Sequence, residues 1–149
     1  MAVIAPGADA PPIDGVELGT GPRALWFHKV TCPVCQLAAP VAERLAAAHP
    51  GLVVGVGQDP EDHLNAFQLA HGVTFPVVRD PPPYAASDSY GLIVVPTLVL
   101  VRDGAVVDVV ESWDRDGYNR VSGRLAELTG NEPTVVSAVG DGLPPFRPG

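Results

Sequence analysis

Cys32 and Cys35 are the only cysteines in the chain, and Pro33 and Val34 alone separate them. A bond between residues so close closes too short a loop to restrain the unfolded chain, so the pair is a poor structural staple. The spacing suits dithiol chemistry or metal ligation. The apolar run 24–30 leads into Thr31 and Cys32, and Pro33 stands where the first turn of a helix accepts proline. A helix N-terminus favours negative charge, so a thiol placed on it loses its proton more readily. This arrangement makes Cys32 the exposed nucleophile that attacks a disulfide. Cys35, one turn further in, becomes the buried thiol that resolves the mixed disulfide. His28 and Lys29 precede Cys32 closely. Strand alternation sends their side chains to opposite faces, so at most one faces the thiols. The plainer reading is a packed histidine and a lysine with its stem along the surface. His28, Cys32 and Cys35 have ligand types that suit zinc or copper, but no fourth ligand is at hand and no metal is expected.

The elements that hold this turn follow from the hydrophobic pattern. Residues 24–30 read as a buried strand and 33–49 as a helix with Pro40 inside it, ended by Pro50 and Gly51. A second buried strand covers 52–57. Asp59 as N-cap and Pro60 as first helical residue begin a helix running to about His71, with Gly72 at its end. A short strand at 75–79, a stiff proline loop and a short helix at 84–90 come next. A long strand at 95–101 turns at Asp103 and Gly104 into a return strand at 105–111. An amphipathic helix at 114–129 ends at Gly130. The early Pro/Gly-rich arm holds a candidate short strand at 16–18. The order predicts an α/β fold, a three-layer α/β/α sandwich with a central mixed sheet. Residues 1–130 form the domain and 131–149 a Pro/Gly-rich C-terminal tail. The tail's β-like patch at 134–139 is either disordered, an added edge strand, or a cover for an apolar patch.

A chain of 149 residues supports one core, and 46% hydrophobic against 17% charged residues marks a folded protein. The net charge of −8 with no basic stripe argues against nucleic acid as a partner. No apolar run approaches the ~20 residues of a membrane helix, so no membrane partner is expected. The first residues lack a basic region and a long apolar stretch, and the protein is expected to be cytoplasmic. His49, His63 and His71 are read as surface residues, and Trp113 as core or rim.

Two stretches carry a family resemblance. Residues 26–35 (WFHKVTCPVC), with Pro40 beyond them, resemble the active-site strand and helix of the thioredoxin superfamily. Residues 90–100 (YGLIVVPTLVL), followed by Asp103 and Gly104, resemble that family's proline-containing strand and hairpin. The resemblance implies a cis Val95–Pro96 bond beside the dithiol turn. It also implies a substrate surface made by Thr31, Pro33, Val95 and Pro96, with the Val95 backbone free to pair with a substrate. The insertion at 59–80 resembles the redoxin/TlpA-like branch, which is related to peroxiredoxins. Three positions depart from the pattern: Trp26 stands where thioredoxins have a buried acid, Thr31 where they have tryptophan, and Ala38 where TlpA-like proteins often have glutamate. The peroxiredoxin motif Pro-x-x-x-Thr-x-x-Cys fits neither cysteine: Leu25 and Lys29 precede Cys32 at its positions, and His28 and Cys32 precede Cys35. The implied activity is thiol–disulfide exchange on protein or small-molecule disulfides. It needs no bound cofactor and exchanges electrons with an external thiol reductant system. The alternatives are a thiol peroxidase, or a metal-binding or redox-inert thioredoxin-like module.

Overall fold

The computed structural model describes residues 2–149. Its elements are β1 (Pro22–His28), α1 (Pro33–Ala48), β2 (Val53–Gly57), α2 (Glu61–His71), β3 (Val77–Arg79), α3 (Ala85–Ser89), β4 (Thr97–Arg102), β5 (Ala105–Glu111), β6 (Trp113–Asp114), α4 (Arg115–Thr129) and β7 (Phe146–Arg147). Five strands form one sheet in the order β3-β2-β1-β4-β5, and β6 and β7 form a small second ladder. β1, β2 and β3 are parallel, whereas β4 runs antiparallel to both β1 and β5, so the main sheet is mixed.

Side-chain alternation divides the core into two layers. From β1 and β4, Ala24, Trp26, Leu98 and Leu100 face a cluster built with α1, α4 and Phe67 of α2. Leu25, Phe27, Val99 and Val101 face the opposite way, toward Ala86 of α3, Tyr90 at its end, and Ile13 and Leu18 of the N-terminal arm. The continuous apolar runs of β1 and β4 thus reflect strands covered on both faces. β5 lies at the sheet's edge and alternates buried with half-buried residues. At its turn, Asp103 and Gly104 both take positive φ, 48° and 79°, as the primed hairpin turns require.

The expected three-layer α/β/α sandwich is the observed fold, but several local readings change. No strand forms at 16–18; Leu18 instead buries its side chain under the sheet. α2 begins at Glu61 with Pro60 as its cap residue, because the Asp59 carboxylate is engaged elsewhere and accepts the Val30 N–H at 2.9 Å. His49 is buried, not exposed, with its Nε2 3.0 Å from Ser122 Oγ. Trp113 is fully buried and donates through Nε1 to Pro144 O at 2.7 Å. Residues 134–139 form no strand; Val136 and Ser137 are buried, and it is Phe146–Arg147 that pairs, with β6.

Candidate active site

β1 ends at the centre of the sheet, and the chain turns into α1 within four residues. The turn is held by backbone and side chain together. Cys32 N–H donates to Lys29 O at 3.3 Å, Gln36 Nε2 donates to Val30 O at 3.0 Å, and Asp59 holds the Val30 amide. Cys32 caps α1 in an extended conformation, and its Sγ accepts the Cys35 N–H at 3.1 Å. Pro33 follows in the first turn, where its missing N–H costs nothing.

The two thiols are free and differ in access: Cys32 is partly exposed and Cys35 is fully buried. Burial pushes the Cys35 thiol far above its ordinary pKa, with a further push from its hydrogen bond to Cys32. Across from the turn, the Val95–Pro96 bond is cis, and the Cys32 thiol donates to Val95 O at 3.4 Å. Thr97 Oγ1 donates to Val94 O at 2.8 Å, and Ser112 N–H to Pro96 O at 2.8 Å, fixing that loop. Cys32, Cys35, Val95 and Pro96 are therefore brought together, with Thr31 and Pro33 exposed at the rim. In the absence of a substrate the Val95 carbonyl receives the Cys32 thiol.

The position of the missing acid is filled differently. Trp26 lies wholly inside, stacked on His28 at 4.5 Å and edge-on to Phe75 at 6.0 Å, and its Nε1 donates to Tyr118 OH at 2.9 Å. Sequence reasoning missed Tyr118 and the part played by Asp59; both act through partners distant in the chain. Strand alternation correctly separates His28, which is buried, from Lys29, which is exposed. Among the described residues, no group of three or more His, Cys, Asp or Glu side chains is arranged to hold a metal ion. No described helix is long and apolar enough to cross a membrane.

Burial lowers the His28 pKa from 6.5 to about 4, against the raising influence of its bond to Trp26 O and of Asp59. The folded protein thus resists a proton that the unfolded chain accepts. Between pH 6.5 and about 4 the unfolded state binds more protons, so stability falls as pH falls through that window. The loss amounts to about 3 kcal/mol by the bottom of the window. His28→Phe, which keeps the ring stack, is expected to flatten this part of the urea-denaturation pH profile. An unchanged slope in the variant would assign the acid sensitivity to other groups.

No protein-family profile matches the chain. The soluble secreted antigen MPT53 of Mycobacterium tuberculosis is 29% identical over 121 residues, covering 79% of this chain and 69% of the antigen. A crystal structure of a secreted M. tuberculosis disulfide oxidoreductase homologous to E. coli DsbE superposes with a TM-score of 0.63 at 26% identity. That alignment covers 83% of this chain and 96% of the other. The structure of MTB dsbF in mixed oxidized and reduced forms aligns with a TM-score of 0.61 at 32% identity, over 74% and 82% of the respective chains. Fold and relatives together define a thioredoxin-like thiol–disulfide oxidoreductase. The chain belongs to the thioredoxin superfamily, with the DsbE-like oxidoreductases of its redoxin/TlpA-like branch.

The expected cytoplasmic location does not stand. The antigen and the disulfide oxidoreductase homologous to DsbE are secreted proteins, which points to an extracytoplasmic location. A lone exchanging dithiol serves equally well in an oxidising compartment, where its substrates carry disulfides.

Proposed function

We propose that Cys32 and Cys35 perform the exchange, Cys32 as nucleophile and Cys35 as resolving thiol. Thr31, Pro33 and Val95 form the surface on which the disulfide lies, with Pro96 buried beside them. The substrates are disulfide-containing proteins or small thiol compounds, and an external thiol system restores the dithiol without a bound cofactor. Residues 1–130 carry the dithiol, and 131–149 pack against them as a C-terminal segment, with Val136 in the core. The observation that carries the reading is the asymmetry of the pair: a partly exposed cysteine at a helix N-terminus, whose Sγ accepts the amide of a second, buried cysteine. The named disulfide oxidoreductases among the similar structures support it.

The test mixes the reduced protein with a disulfide and, separately, with hydrogen peroxide. The expected product with the disulfide is an intramolecular Cys32–Cys35 bond, seen by mass spectrometry as loss of two hydrogens. Peroxide should react no faster than with an ordinary thiol. Catalytic consumption of peroxide without disulfide exchange would reverse the assignment in favour of a peroxidase.

A further inference from the structure

Beyond α4 the chain is tied down repeatedly on its way back to the dithiol. Asn119 Oδ1 accepts the amides of Val136 and Ser137 at 2.9 and 3.1 Å. Arg115, itself buried, donates through Nη2 to Asp141 at 3.1 Å and to Leu143 O at 2.7 Å. Trp113 Nε1 holds Pro144 O, and the Arg115 amide donates to Pro145 O at 3.0 Å. β7 then pairs with β6, and Gly149 N–H donates to Ser112 Oγ at 3.0 Å. Gly149 lies so close to Val95 that a methyl group added to it would run into the Val95 carbonyl oxygen. That oxygen is the one receiving the Cys32 thiol.

We propose that residues 146–149 are a specificity-determining wall of the dithiol site, shielding the Val95 carbonyl so that small disulfides are favoured over extended polypeptides. An extended substrate gains affinity by adding itself as a strand, which needs main-chain oxygens as well as amides. Here the oxygen at the centre of the site is covered on one side. Val95 also borders an open cleft of about 290 Å³, lined in part by Lys29, Gln58, Tyr84, Asp88 and Ile93. Lys29 and Asp88 give this cleft both charge signs, and its volume suits one half of a small charged disulfide such as oxidised glutathione. The proposal rests on the exchange reading above. In the reaction, the Cys32 thiolate attacks one substrate sulfur, and the substrate S–S bond breaks as the Cys32–S bond forms. The other sulfur leaves as a thiolate that takes its proton from water. Cys35 then gives up its proton and attacks the Cys32 sulfur, the Cys32–substrate bond breaks, and the second substrate thiolate leaves and takes up a proton; the dithiol is oxidised and the substrate reduced.

The test uses the Cys35→Ser background, in which the adduct on Cys32 persists. Rates of adduct formation are read by mass spectrometry with oxidised glutathione and with an unstructured peptide carrying one disulfide. Removal of residues 146–149 should raise the peptide-to-glutathione rate ratio by at least about tenfold, equivalent to about 1.4 kcal/mol in relative barrier height. Ser112→Ala, which keeps the chain whole but removes the anchor of Gly149, should move the ratio the same way by a smaller factor. It decides the matter if the shortened chain fails to fold by circular dichroism. An unmoved or falling ratio with adducts still forming overturns the wall alone. Absence of adduct with both probes overturns the exchange reading and the wall with it.

Discussion

Cys32→Ser is expected to bring disulfide exchange down to background, a loss of at least about a thousandfold. Cys35→Ser is expected to react once and stop. The asymmetry follows from access. Of the two cysteines only Cys32 is partly exposed, at the start of α1 and bonded to Val95 O. Cys35 is wholly covered, and burial holds its thiol protonated far above the ordinary range. A protonated, covered thiol cannot open an encounter with a substrate. Once Cys32 carries a mixed disulfide, Cys35 is the neighbouring group able to attack it, and the chain has no third cysteine to take over. The measurement is single-turnover reduction of a disulfide protein, with mass spectrometry of the products. Residual activity in Cys32→Ser, or normal reaction of Cys35→Ser with no adduct on Cys32, would show that the roles are wrongly assigned.

The second large effect concerns stability. Trp26→Ala is expected to cost about 4 kcal/mol and to lower the Tm by roughly 10 °C. Trp26 sits between β4 and β2 in the central strand, in contact with the rings of His28, Phe67 and Phe75. Truncation opens a cavity walled by strands on both sides, which cannot collapse to fill it. It also strips Tyr118 OH of the donor that Trp26 Nε1 supplies at 2.9 Å. Trp26→Phe keeps most of the ring volume and loses the hydrogen bond, so it should cost only about 1–2 kcal/mol. Equal losses in the two variants, measured by denaturant unfolding, would mean that the indole's volume is not what holds this part of the core.

The legible parts of the fold are those governed by local patterns. The apolar runs of β1 and β4 announce strands covered on both faces, and Asp103 with Gly104 announces the hairpin between β4 and β5. The dithiol turn is legible for the same reason: strand, cysteine, proline and helix follow one another without a gap. What escaped is held by side chains reaching across the sequence. Asp59 has the type and place of a helix cap, yet it caps the Val30 amide 29 residues earlier. Arg115 binds Asp141, 26 residues on, and so decides the course of a segment whose composition suggested a loose tail. His49 looks like a surface residue at a helix end until Ser122 of α4 meets it. No periodicity encodes such pairings, because each depends on which elements the finished fold makes neighbours.

The loop from Gly91 to Val95 is touched at its two ends by the two extremes of the described chain. Gly91 meets the backbone of Ala2 and Val3, and Val95 meets Gly149. Four residues of extended backbone span no more than about 14 Å. Residues 2 and 149 are therefore near enough for a short glycine linker to join them, closing the chain into a ring. That proximity is the geometric condition for circular permutation. New ends could then be opened at the exposed Gly51 turn between α1 and β2, far along the sequence from both cysteines.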